Sequence, residues 1–245
     1  MKLQFKRFSI FIFAAFSLTF CLSFITSRPV NESRMGIARV AGATIAAHAF
    51  KSVYDSLGLS TTGLSKEAYE MTMKGVEELK SEGKLSNDSI VTIVDFSKPS
   101  SEKRLFIIDL RNYRVLFNTW VAHGRNSGKE TAQSFSNTMS SNKSSLGFYR
   151  TGDTYMGGNG YSLKLHGLEK GINDKALERA IVVHGADYVS PSFLQNNGFM
   201  GRSYGCPAVS SREARPIINT IKGGSCLFIY SADRYYLSHS ALLNA

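Results

Sequence analysis

The chain has 245 residues, 43% apolar and 20% charged, enough for one substantial domain with a smaller appendage, and no internal repeat runs through it. Its formal charge of +10 suits an anionic partner. No basic run is interleaved with aromatics, so the composition argues against nucleic acid as that partner.

Lys2, Lys6 and Arg7 precede an uncharged apolar run from Phe8 to Ile25, the pattern of an export signal. The run is long for a signal and in the lower range for a spanning helix, and no clear small-x-small cleavage site follows it. Residues 1–27 therefore read either as a cleaved signal peptide or as a membrane anchor through residues 8–25. Both place the rest of the chain outside the cytoplasm, in a periplasm or cell envelope. Phe20 is large where a lipoprotein signal wants a small residue, which argues against lipidation of Cys21. Three of the positive charges lie in this leader with no acidic residue, leaving +7 from Arg28 onward for an envelope polyanion or a substrate with free carboxylates.

Residues 28–88 read as a helical segment. Ile45, Ala49, Val53 and Leu57 recur at helical spacing and Gly58 closes that run. A second helix starts at Ser65 as N-cap and passes through Val76 and Leu79 to Gly83. Nothing here carries chemistry, and the segment, His48 included, reads as a cap packed on the domain that follows.

From residue 89 to 245 the pattern is mainly β. IVTIVDF and RLFIIDL flank a turn-like SKPSSEK, and RVLFNTWVAHG follows, as successive strands of an antiparallel sheet would. Residues 125–159 are rich in Gly, Ser, Asn and Thr, which predicts an exposed, loop-rich stretch with short strands such as LGFYRT inside it. YSLKLHG, RAIVVHG and Cys226–Tyr230 supply further strands. Ser210 and Glu213 have capping-box spacing, which predicts a helix reaching about Ile221.

Candidate chemistry lies between His184 and Val209. Cys206, set between Gly205 and Pro207, is a candidate nucleophile, and His184, at the end of an apolar run, is a candidate base that would return the proton to a leaving amine. Gly205 would let the backbone approach a ligand and leave its amide free for an oxyanion. The helix predicted after Ser210 would aim its positive end at Cys206 and lower the thiol pKa. Arg202 would hold a carboxylate through two parallel hydrogen bonds, or tie loops together. Ser203 or Asp187 would orient the imidazole. Cys226, in CLFIY, reads as a core residue, with a Cys206–Cys226 disulfide as the alternative. His123, His166 and His184 each precede a glycine. With Cys206 they raise a zinc reading, against which stand the absence of short ligand spacings and the poor nucleophilicity of a metal-bound thiolate. No metal and no cofactor is expected. His166 reads as groove-lining, and His123 as either groove or structure.

These residues carry a resemblance. HG, then a spacer, then RSYGCP is similar to the His-Gly and Ser-x-Gly-Cys motif of the L,D-transpeptidase catalytic domain (YkuD-like) family, nearest its murein L,D-transpeptidase catalytic domain branch. The likeness extends through AHGRNSG, FSNTMSSNKSSLGFYRTGDTYMGGNGYSLKLHGLEKG and ERAIVVHGADYV, over roughly residues 90–231. It departs at Tyr204, where many members have a second histidine, so that histidine's role is not carried over. Tyr204 is instead read as a substrate-side aromatic that covers the thiol. The resemblance implies a β-sandwich-like domain with its cysteine at a groove mouth. It also implies acyl transfer on peptidoglycan stem peptides through a Cys206 thioester, resolved by an amine or, in an L,D-carboxypeptidase, by water. The rivals are another cell-wall cysteine peptidase, though the large papain-like families place cysteine before histidine, and an inactive envelope-binding module, against which the intact motif argues.

Overall fold

Residues 53–245 are described by the computed structural model, and the leader and the run around Ile45 and Ala49 lie outside them. Where the chain enters view, Leu57 N donates to Val53 O at 3.0 Å and Gly58, with φ 57°, ends the turn. Helix α1, Lys66–Ser81, starts at its N-cap Ser65, whose side chain accepts from Ala68 N, and buries Ala68, Tyr69, Met73, Val76 and Leu79. Those five share one face at helical spacing, which is why this helix was legible from its apolar residues.

The sheet has eight strands: β1 Asn87–Asp95, β2 Leu105–Asp109, β3 Arg114–Thr119, β4 Gly147–Gly157, β5 Gly160–Gly167, β6 Val182–Ala186, β7 Ala208–Ser210 and β8 Ser225–Tyr230. Their spatial order is β3-β2-β1-β8-β4-β5-β6-β7. The three successive strands expected to form an antiparallel sheet do so, β1 pairing with β2 and β2 with β3, whereas β1 pairs with β8 in parallel and β6 with β7 in parallel. Parallel neighbours need a long crossover. Between β6 and β7 that crossover contains helix α2, Pro191–Asn197, capped by Ser190 and ended by Gly198 in the left-handed region. The two sheet edges also meet, since Ala122, just past β3, donates its N–H to Ala208 O at 2.8 Å. The sheet thus curls into a nearly closed, barrel-like form, which removes much of the exposed edge.

Helix α3, Ser211–Ile221, covers one face through Ala214, Ile217, Ile218 and Ile221. It comes close at Gly185, where a Cβ would lie 3.1 Å from Ala214 Cβ. Strand alternation therefore turns the neighbouring His184 to the opposite face. Ser210 caps the helix as predicted, accepting from Glu213 N at 3.3 Å, while the Glu213 carboxylate accepts from the Ser210 and Thr119 hydroxyls and ties the helix to β3. The core between helices and sheet includes the stacked pair Phe148 and Phe228, with ring centroids 4.1 Å apart. Among the described residues no helix is long and apolar enough to cross a membrane.

The polar stretch 125–159 is less exposed than its composition suggested. Ser127, Ser144 and Ser145 are buried, and residues 147–157 form one long strand that a turn at Gly157–Gly160 joins to β5. Serines can go inside here because their hydroxyls are paired, for example Ser144 N donating to Ser127 Oγ at 2.9 Å.

The C-terminal helices, α4 Arg234–His239 and α5 Ala241–Asn244, are held by a buried carboxylate. Glu169 accepts from Phe148 N at 2.7 Å, Tyr236 Oη at 3.2 Å and Ser240 Oγ. Burial raises its pKa against the pull of those donors. The folded state therefore prefers the protonated carboxyl, and this contribution is complete below the ordinary carboxylate range and declines as pH rises through the folded pKa. Glu169→Ala should cost about 1–3 kcal/mol in urea melts by orphaning buried donors. Glu169→Gln, which does not titrate, should flatten the decline in stability that the wild type shows as pH rises from about 4.

Candidate active site

The turn 203–206 is pinned from several sides. Ser203 N donates to His123 O at 2.9 Å and Arg125 N donates to Ser203 O at 2.7 Å, so the turn pairs with the chain beyond β3. Ser203 Oγ donates to Cys206 O at 2.6 Å and accepts from Gly205 N at 3.0 Å. Ser144 Oγ donates to Gly205 O at 3.0 Å. Gly205 has φ +127°, and a Cβ there would meet Lys143 O at 2.8 Å, so the position needs glycine both for its backbone angle and for its space.

Two sequence expectations fail here. The Gly205 amide is not free, because it donates to Ser203 Oγ. The helix dipole does not reach Cys206 either, because strand β7 lies between the cysteine and the first turn of α3. Dipole effects fade within a turn of the helix end, whereas three extended residues span about 10 Å.

Cys206 keeps part of its surface open to solvent while protein packs densely round its sulfur. The thiol donates to Ala180 O at 3.6 Å. Burial is the largest influence and pushes the thiol pKa up. The Val182 amide, the positive charge of Arg179 and the Cys206 amide oppose it. The resting group is thus a protonated thiol and not the preformed thiolate that a helix N-terminus would have given.

His184 sits on β6 in register with Ala208 of β7, which brings its strand alongside Cys206. Its Nδ1 lies 2.9 Å from Gly185 O. A carbonyl only accepts, so Nδ1 carries the proton and Nε2 keeps a free lone pair. Burial, with the residue 4% exposed, lowers the His184 pKa while the Gly185 carbonyl opposes, so the imidazole is neutral at pH 7. The orienting group is therefore this carbonyl, and neither Ser203 nor Asp187. Asp187 accepts from Ser211 Oγ at 2.6 Å. Among the described residues no hydrogen bond joins Cys206 directly to His184; Cys206 lies in the turn that leads into β7, two residues before Ala208, the partner of His184 across the β6–β7 pairing.

The remaining predicted residues are placed as follows. His166 is half-buried on β5, its ring over Gly152, on the Ala180 side of the β5–β6 pairing. His123 is fully buried, and Arg104 Nη2 donates to its Nδ1 at 2.7 Å. Burial first and Arg104 second lower its pKa to about 4, which makes it a neutral structural residue. Arg202 donates to Arg125 O and Gly128 O at 3.4 and 3.3 Å and lies over Phe199, the loop-tying arrangement. Tyr204 is 68% exposed with its ring against the Arg125 guanidinium, 5.1 Å from centroid to Cζ. Cys226 is buried in the core, and both described cysteines are free thiols. Among the described residues no three His, Cys, Asp or Glu side chains gather as metal ligands would. Two clefts of about 300 and 490 Å³ around Gln133, Phe135 and Asp233 include neither Cys206 nor His184 in their linings.

Two neighbours of the sulfur went unread in the sequence. Tyr188, against whose ring Gly201 packs, has its phenol pKa raised to about 12, by burial first and by Cys206 second. Arg179 carries no local signal other than its place before the β6 run.

The sequence matches the L,D-transpeptidase catalytic domain family over residues 60–230. The chain belongs to that family. No curated protein matches it. Among solved structures it is similar to an L,D-transpeptidase from Mycobacterium smegmatis (11% identity, 58% of this chain and 59% of that one, TM-score 0.36). It is also similar to the helical cell shape determining protein of Campylobacter jejuni (11%, 67% and 56%, 0.40). A third is an L,D-transpeptidase from Stackebrandtia nassauensis (11%, 76% and 78%, 0.35). The chain spans less than two thirds of the length of the first two.

A raised thiol pKa fixes the sign of a pH experiment. Iodoacetamide alkylation of Cys206, followed by peptide mapping, should be slow at pH 7 and rise with a midpoint above the ordinary thiol value of about 8.5. A midpoint below 7 would restore the preformed thiolate.

Proposed function

We propose that the chain is an exported cysteine acyltransferase that acts on peptidoglycan stem peptides as an L,D-transpeptidase. The observation that carries this reading is the parallel pairing of β6 with β7, which sets His184 beside the strand that the Cys206 turn leads into, within a chain of this family. Export rests on the leader, and the net charge of +7 carried from Arg28 onward suits a carboxylate-bearing wall polymer.

In this reading the Cys206 sulfur attacks the carbonyl carbon between an L-centre and a terminal D-amino acid. His184 Nε2, the free lone pair, takes the thiol proton as the sulfur attacks and gives it to the departing amine as the C–N bond breaks. The product is a thioester on Cys206 and a free amino acid. An acceptor amine then attacks the thioester, forms the new amide and returns the thiol. The Cys206 and Val182 amides, already converging on the sulfur, are the donors best placed for the oxyanion, since Gly205's is committed elsewhere. Because thiol and imidazole rest in their neutral forms, proton transfer accompanies attack and does not precede it.

Cys206→Ala should abolish turnover of a tetrapeptide stem by liquid chromatography and mass spectrometry. Cys226→Ala should keep turnover and lose on the order of 1 kcal/mol of stability. His184→Ala should lower turnover by about 100- to 10,000-fold while the protein stays folded by circular dichroism. Full turnover in the Cys206→Ala protein would end the reading.

A further inference from the structure

Arg179 is a half-buried cation that forms no ion pair with a carboxylate among the described residues. Its Nη1 donates to Ser136 O at 2.8 Å and to Ser145 Oγ, and its Nη2 to Lys143 O at 2.6 Å and Ser141 Oγ at 3.2 Å. All four partners are neutral and lie on one loop, 136–145. Those bonds use the four protons of the two terminal nitrogens, so the guanidinium is held in place and is not offered to a ligand as a fork. Its Nη2 lies 3.4 Å from where a Gly205 Cβ would be, directly behind the residue that precedes Cys206. The next residue, Ala180, holds φ +53°, a left-handed backbone that is unfavourable for a residue with a Cβ, and its carbonyl accepts the Cys206 thiol. One dipeptide thus sets a fixed positive charge and a thiol acceptor on the sulfur.

A half-buried charge without a counter-ion is costly unless an anion forms beside it. We propose that Arg179 is a positioning residue for the nucleophile: it clamps loop 136–145 beneath Gly205 and supplies the fixed charge against which the Cys206 thiolate forms. The inference rests on Cys206 being the nucleophile. The other groups facing the sulfur do not supply that charge. His184 and Tyr188 are held neutral by burial, the Tyr204 ring lies against the Arg125 guanidinium, and Lys143 Nζ is turned to Ser134 Oγ at 2.7 Å. Arg179 and Cys206 each favour the other's charged form.

The test is the pH profile of Cys206 alkylation by iodoacetamide in the full chain, read by peptide mapping, for wild type, Arg179→Gln and Arg179→Lys. Arg179→Gln should move the midpoint up by about one pH unit, a roughly tenfold slower reaction at pH 7 with an unchanged plateau at high pH. Arg179→Lys, which keeps the charge and loses the fork, should keep the wild-type midpoint. A folded Arg179→Gln protein with the wild-type midpoint overturns the proposal. If that variant does not fold by circular dichroism, the Lys variant decides, and a folded Lys protein with its midpoint a full unit higher also overturns it. Alkylation needs no stem peptide, so a failure here is distinct from a failure of the transpeptidase reading, which would show as a normal profile without turnover.

Discussion

The seam between β6 and β7 is the constraint on which the site depends. Three registered pairs, His184 with Ala208, Gly185 with Val209 and Ala186 with Ser210, fix two chain segments that are distant in sequence. The bridge from Ala122 to Ala208 then locks β7 on its other side. Between these two neighbours β7 has no freedom to slide, and the turn before it is tied down by Ser203 and Ser144. A slip of one residue would turn His184 toward α3. The spacer between the His-Gly and Gly-Cys motifs is therefore the length of a parallel crossover with a helix in it, and its length serves the strand pairing.

That geometry comes with a particular protonation state. Dense packing round the sulfur raises the thiol pKa and burial of His184 lowers the imidazole's, so the neutral pair is the resting form. A neutral thiol is a slower target for oxidants than a thiolate. The same packing brings the Val182 and Cys206 amides and Arg179 to the sulfur. They repay part of the desolvation cost only once negative charge has appeared there.

Much of this architecture was legible because its signals are local. Ser65 and Ser210 act as caps where their spacing indicated, the two helices end where predicted, and the apolar runs of β1, β2, β5, β6 and β8 are strands. Non-local arrangements were not. Whether β8 meets β1 in parallel depends on pairing between the two ends of the domain, which no window of residues encodes. Strand β7 is too short to show a period, so the cysteine was read as adjoining a helix. The buried serines of the 125–159 stretch were read as surface residues because their burial depends on partners supplied by distant loops. Arg179 and Tyr188 belong to the site only through the fold.

The most direct test of the account is the intact mass of the protein during reaction with a disaccharide tetrapeptide, with the adduct mapped by proteolysis. The account predicts a transient adduct on Cys206, equal to the stem lacking its terminal amino acid, that an added acceptor amine discharges. An adduct on any other residue, or release of the terminal amino acid with no thioester ever formed at Cys206, would contradict it.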